Sequence, residues 1–214
     1  MFAFGQINDF KFNSEFEKTA FQNLDNEQST KNKLALFYAL NTNTTDSSFN
    51  ATYNYLLNFS LTYNLSKGPR KLFDETQNHF FKNYEIATGL DNLTSNGTFN
   101  CVTGTAIMAF FLEHNGFEYE IEEMPYHVFL SVTNKNKKYI LETTDTQYGF
   151  LRDIKPNRRQ SFLDTIDNNR IFKEIGEYSH LDNGQLVVKG TVTLTELAGL
   201  NYYNAAIKHI NNNN

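Results

Sequence analysis

The run from Val102 to Leu112, which includes Ala106, Ile107, Met108, Ala109, Phe110 and Phe111, carries no charged residue and is apolar on almost every side. A helix that is hydrophobic all round has no face to give to water, so other elements must enclose it. Gly116 follows as a plausible C-terminal stop, and Cys101 stands at the N-terminal end. The sequence therefore predicts a central helix with a cysteine where it begins.

The rest of the chain must supply the enclosure. Its 214 residues are 40% hydrophobic and 15% aromatic, all of the aromatics Phe or Tyr, enough to bury one sizeable core. One principal domain over 13–192 is expected, with a C-terminal helix over 193–214. The formal net charge is −5 and the pI about 5.5, with basic residues scattered among acids, which excludes the electrostatic footprint of a nucleic-acid binder. No apolar run approaches the roughly 20 residues that a spanning helix needs, so membrane insertion is not expected. A lone cysteine can form neither an intramolecular disulfide nor a thiolate metal site. Packing, intermolecular pairing and nucleophilic chemistry remain, and no metal or cofactor is expected.

Met1-Phe2-Ala3-Phe4-Gly5-Gln6 resembles the last residues of a bacterial secretory signal, without its charged region or most of its apolar region. Residues 1–12 read either as such a remnant or as an ordinary frayed N-terminus. The first reading implies a periplasmic or extracellular protein, the second a cytoplasmic one.

Helical spacing predicts two amphipathic helices between Asn13 and Ala39, through Phe16, Ala20, Phe21 and Leu24, then Leu34, Leu36, Phe37 and Leu40. Asn41–Asn50 reads as a loop, and Phe49–Leu65 as helix or strand, with Tyr53, Leu56, Leu57, Ser60 and Leu61 favouring helix. Pro69 opens another helix, lined by Leu72, Phe73, Thr76 and Phe80 and ending near Tyr84. Gly89–Asn100 is rich in Asn, Thr, Ser and Gly and reads as a loop. Beyond the central helix, Phe117–Ile121, Tyr126–Thr133 and Lys138–Thr144 read as antiparallel strands, with a turn at Asn134–Lys137. Arg152–Tyr178 reads as a covering segment with some helix, and Leu186–Thr193 as a strand. Thr193–Ile210 reads as a capped helix with Leu197, Leu200, Tyr203, Ala206 and Ile210 on one side.

These elements bring a candidate site together. A free thiol titrates at about 8.5 and becomes a nucleophile at neutral pH where a helix N-terminus or an imidazole favours the thiolate. Cys101 has the helix. His127 opens an apolar strand on which Val128, Leu130 and Val132 face one way and His127, Phe129 and Ser131 the other. A hairpin turning between Asn134 and Lys135 sets Leu130 opposite Tyr139, Val128 opposite Leu141 and His127 opposite Glu142. A longer slip of register would bring Asp145 there instead. Cys101 as nucleophile, His127 as base and Glu142 as the acid that orients the imidazole then fill the roles of an acyl-transfer site. The Cys101 backbone N–H supplies half of an oxyanion hole, with Asn100 or a residue of Thr94–Gly97 as candidates for the other half. His79, His114, His180 and His209 read as surface or packing residues, and Glu120, Glu122 and Glu123 as a charge run facing solvent or rimming the cleft.

The strings Gly97-Thr98-Phe99-Asn100-Cys101-Val102-Thr103-Gly104-Thr105-Ala106, Pro125-Tyr126-His127-Val128 and Ile140-Leu141-Glu142-Thr143-Thr144 resemble the bacterial transglutaminase-like superfamily in the order Cys, His, carboxylate. The resemblance spans roughly Pro69–Phe150. It implies an α+β fold with a papain-like core, the Cys helix packed on an antiparallel sheet. The family's third residue is commonly Asp, where this chain has Glu142, and the aromatic residue that often follows the histidine is Val128. Leu194–Asn204 resembles the helix that leads some members into tetratricopeptide repeats, which implies a further protein partner through such a region. The activity implied is a cysteine-dependent hydrolase or acyltransferase acting on an amide of a protein or peptide. A binding or scaffolding module that keeps the fold without turnover is the alternative.

Overall fold

The computed structural model describes residues 11–25, 29–62, 68–124, 127–145, 148–152, 159, 161–164 and 190–212. The Met1–Gln6 stretch, Pro125, Tyr126, His180, most of the expected covering segment and the Leu186–Lys189 part of the expected strand lie outside these residues.

The architecture is mixed α+β, with helices gathered around a central helix and that helix laid on an antiparallel sheet. Helices α1 (Glu15–Gln22) and α2 (Thr30–Tyr38) follow the predicted periodicity, and Phe16, Ala20, Leu34, Leu36 and Phe37 are buried. α3 (Asp46–Leu61) begins inside the stretch that reads as a loop. Thr45 and Ser48 exchange side-chain and backbone hydrogen bonds there, a capping box that polar composition disguises as loop. α4 (Gly68–Phe80) buries Leu72, Phe73, Thr76 and Phe80 as expected. It stops before Tyr84 because Lys82 and Asn83 turn their N–H groups to the Gly97 carbonyl, so that Asn83-Tyr84 becomes a short strand β1.

The stretch Gly89–Asn100 is likewise more ordered than its composition predicts. It holds α5 (Leu90–Asn96), which buries Leu90 and Leu93, and β2 (Thr98–Phe99), which pairs in parallel with β1. Gly97 ends α5 in the left-handed conformation at φ 82°, and a side chain there would strike Lys82 and the Phe80 carbonyl.

α6 (Cys101–His114) is the central helix, with every residue from Val102 to Leu112 buried. Phe110 packs edge-on to Tyr53, Phe111 against Phe59 and Phe80, and the strands cover the other side. The sheet contains β3 (Glu118–Met124), β4 (His127–Asn134), β5 (Lys137–Leu141), β6 (Phe150–Arg152) and β7 (Gly190–Val192) in the order β6-β5-β4-β3-β7, all pairs antiparallel. Val128, Leu130, Val132 and Leu141 face α6, whereas Phe129 and Ile140 face away and pack with Met124 and Leu163. The short helical stretch 161–164 thus covers the outer face, within the segment expected to do so.

Two expectations for this sheet need correction. Leu141, not Tyr139, stands opposite Leu130, a register two residues along. The turn is at Lys135-Asn136, both with positive φ (49° and 62°), the two-residue loop whose twist suits a hairpin. A shift by an even number leaves every side chain on its predicted face. Glu122, read as part of an exposed charge run, is buried on the outer face, held by Arg159 and Ser131. Alternation along β3 puts it there beside Met124, and the ion pair removes the cost of burying it alone.

α7 (Leu194–Asn212) is capped by Thr193, which exchanges hydrogen bonds with Glu196. It docks in the same core through Leu194, Leu197 and Ala198, while Tyr203 and Ile210, expected on the inner side, are 63% and 56% exposed. No helix among the described residues is long and apolar enough to cross a membrane.

Enclosure of α6 makes its aromatics the costliest to truncate. Phe111→Ala should lower unfolding free energy by about 3–5 kcal/mol, whereas Tyr203→Ala on the exposed side of α7 should change it by less than about 0.5 kcal/mol. Urea denaturation of the two variants beside the parent measures both, and equal effects would contradict the core assignment.

Candidate active site

Asn100 builds the start of α6. Its Oδ1 accepts from the Thr103 backbone N–H (2.8 Å) while its own N–H donates to Thr103 Oγ1 (3.0 Å), a reciprocal cap. Its side-chain amide donates to the carbonyls of Ile86 (3.0 Å) and Thr88 (3.4 Å). The segment after β1 is thereby tied to the helix start. Cys101 follows as the first helical residue, half-buried and free, where its N–H has no helical acceptor and the helix dipole is positive.

His127 begins β4 and is 3% exposed; Glu142 follows the last residue of β5 and is also 3% exposed. In the observed register they stand diagonally on one face, within reach of a long side chain, and His127 Nε2 lies 3.2 Å from Glu142 Oε1. The Cys101 side chain lies close enough to the imidazole to help raise its pKa. With Nε2 turned to the carboxylate, Nδ1 is the nitrogen left for the sulfur. Alignment at both nitrogens is loose, so charge carries the pairing more than hydrogen-bond direction does.

Glu142 is fixed from its other side. Its Oε1 accepts from the Thr144 backbone N–H (2.8 Å) and hydroxyl (2.7 Å), and its Oε2 from the Asp145 N–H (2.6 Å). Asp145, the alternative carboxylate, instead supports the loop: its Oδ1 accepts from Tyr148 N–H and its carbonyl from Gly149 N–H. Gly149 closes this loop by accepting from Glu142 N–H at 2.7 Å, and a Cβ on it would lie 2.1 Å from the Glu142 carbonyl oxygen and 2.3 Å from that of Asp145. Gly104, one turn into α6, makes a comparable approach: a Cβ there would lie 2.7 Å from Thr143 Oγ1. Neither glycine stands out in the sequence, because the signal is a close approach made by the fold, between remote segments for Gly104 and across one loop for Gly149. The Asn100 cap was legible there, in an Asn three residues before Thr103.

The electrostatics follow from burial and pairing. For His127, burial alone would lower the pKa, but the bonds and negative charge from Cys101 and Glu142 win and raise it to about 10. For Glu142, burial would raise the pKa, but the bond and charge of His127, with the Thr144 donors, win and lower it. The pair is therefore an imidazolium against a carboxylate around neutral pH. Among the described residues no group of three or more His, Cys, Asp or Glu side chains could hold a metal ion. His79 and His114 pack against aromatic rings outside this cluster, His79 on Phe59 and His114 on Phe110.

Comparisons with protein-family models, with curated proteins and with solved structures find no match.

Two outcomes follow. His127, raised in the folded state, stabilises the fold fully below its unfolded pKa of about 6.5, and this contribution fades as pH climbs toward about 10. Glu142, lowered, contributes above its unfolded pKa of about 4.3, and that contribution is lost as pH falls through the folded value. Urea midpoints across pH 3–10.5 should therefore fall on both arms, with Glu142→Gln flattening the acid arm; an unchanged acid arm would refute the pairing. Gly149→Ala should cost about 1–3 kcal/mol by forcing the loop open, and a neutral effect would mean that the close approach is not tight.

Proposed function

We propose that this chain is a cysteine-dependent hydrolase or acyltransferase of the transglutaminase-like kind, with Cys101 as nucleophile, His127 as proton carrier and Glu142 as the orienting carboxylate, acting on an amide of a protein or peptide. The observation that carries this reading is the buried His127–Glu142 ion pair set against a half-exposed cysteine at a helix N-terminus. A buried ion pair adds little to stability compared with an apolar replacement, so its presence beside the chain's one thiol favours a chemical role. A papain-like core fits the same arrangement, since the Cys helix lies on an antiparallel sheet, with the His opening β4 and the Glu just past the end of the neighbouring β5.

The chemistry proceeds by acyl transfer. The Cys101 sulfur attacks the amide carbonyl carbon with its proton already on His127, and the carbonyl electron pair moves onto oxygen. The Cys101 N–H meets that oxyanion. Collapse expels the amine, which takes the proton from His127, and leaves a thioester on Cys101. Water, or an amine acceptor, then attacks the thioester with His127 as base, releasing the acid or the new amide and the thiol. Glu142 holds the imidazole in place and balances its charge through both steps. Hydrolysis is favoured over cross-linking because water is always available as the acceptor.

Cys101→Ala should abolish turnover of peptide amides and activated esters, and His127→Ala should lower it by about a hundredfold or more. Both are measured by product release beside urea denaturation, which separates lost chemistry from lost fold. Iodoacetamide should alkylate Cys101 more slowly in His127→Ala than in the parent. A parent protein that shows no turnover, and whose alkylation ignores His127, would be a binding module that keeps the fold.

A further inference from the structure

An oxyanion hole needs a second donor beside the Cys101 N–H; of the candidates nearest in sequence, Asn96 is exposed and accepts from the Thr98 N–H, and the others donate elsewhere. Both hydrogens of the Asn100 amide go to the Ile86 and Thr88 carbonyls. Thr94 Oγ1 donates to the Leu90 and Asp91 carbonyls, Ser95 Oγ to the Asn92 carbonyl, and Gly97 N–H to those of Asn92 and Leu93.

A different donor comes from β1. The parallel pairing of β1 with β2 sets Tyr84 directly beside Phe99, two residues before the nucleophile, and the Glu85 N–H donates to the Phe99 carbonyl at 2.9 Å. The Tyr84 ring stands edge-on to Phe99, with centroids 5.9 Å apart and planes at 88°. On the other side, Asn100 grips the Ile86 carbonyl, so Tyr84 is held at both flanks against the start of α6. Both Tyr84 and Cys101 are half-buried and pack on the same core cluster. Among the described residues the Tyr84 hydroxyl makes no hydrogen bond. A half-buried phenol on the strand paired with the segment that leads into Cys101 can donate to an acceptor bound there.

We propose that Tyr84 is the second oxyanion donor, its hydroxyl meeting the same substrate oxygen as the Cys101 N–H. The inference rests on Cys101 being an acyl-transfer nucleophile. Burial, then the negative charge of Cys101 and of Glu142, raise the Tyr84 pKa, which keeps the phenol protonated and able to donate across the working pH range. The donation stabilises charge that exists only after attack: the sulfur–carbon bond forms, the carbonyl pair moves to oxygen, and the oxygen returns it when the leaving group departs. Tyr84 therefore accelerates the chemical step and leaves ground-state binding nearly untouched.

Two reagents on one thiol separate this role from others. p-Nitrophenyl acetate acylates a cysteine through an oxyanion, releasing p-nitrophenolate. Iodoacetamide alkylates it by displacing iodide from a saturated carbon, with no oxyanion at the reacting centre. In Tyr84→Phe, which keeps the ring against Phe99, acylation should fall by about a hundredfold while alkylation stays at the parent rate, which also reports an intact cleft. Acylation at the parent rate would overturn the proposal. Parallel loss of acylation and alkylation would overturn it too, because Tyr84 would then act on the thiol and not on the carbonyl oxygen. Parent acylation that survives Cys101→Ala would instead sink the nucleophile reading itself, a result that Tyr84→Phe alone cannot produce.

Discussion

The site depends on how the enclosed helix begins. α6 is buried along its length, so its N-terminal N–H groups must find partners or reach a cleft. Asn100 meets one with its side-chain oxygen and donates its own N–H to Thr103 Oγ1, then gives its amide hydrogens to the segment after β1. One side chain therefore fixes the helix start, the direction in which the Cys101 N–H points and the distance from Tyr84 to the thiol. Replacing such a cap usually costs about 1 kcal/mol. Here the greater loss would be geometric, since the segment after β1 and the start of α6 share the same anchor.

The carboxylate is held by a different device. Glu142 lies just past the end of β5, where the sheet no longer supplies partners, and the loop through Thr144, Asp145 and Gly149 folds back to provide them. A charged group with three donors around it and an imidazolium ahead of it is well satisfied without water, which is how a carboxylate survives at 3% exposure. The short polar string after Leu141 is thus a cradle and not a frayed strand end. The Glu142 side chain is also long enough to span the diagonal that the observed register leaves between the two strands.

That diagonal shows what the sequence could and could not reveal. The strands, the central helix and the faces of β4 were legible because they depend on alternation and on burial, which are written in residue type. The hairpin register depends on which two residues adopt positive φ, and Lys135-Asn136 carries only a weak signal for it. Because the observed register differs from the expected one by an even number, His127 and Glu142 still share a face and meet across the diagonal instead of directly. α5 was missed for a related reason. Its seven residues include Asp, Asn, Thr and Ser, which locally compete with a helix, and only burial of Leu90 and Leu93 in the core offsets that tendency. Glu122 was misplaced because its partner Arg159 is remote in sequence, and a charge that will be neutralised at long range looks like a charge bound for water.

The same contrast between local and remote causes runs through the site. Cys101, His127 and Glu142 could be singled out because each sits at a recognisable position in its own element. Tyr84, Gly104 and Gly149 could not, since each matters only through a contact that the fold makes: with Phe99 on a paired strand for the first, with Thr143 on a remote loop for the second, with Glu142 across its own loop for the third. The three dictate distances between elements, and small displacements are costly to a reaction that requires aligned atoms. A chain can therefore present the residues of a candidate site openly in sequence while the parts that set their spacing stay hidden until the fold brings them together.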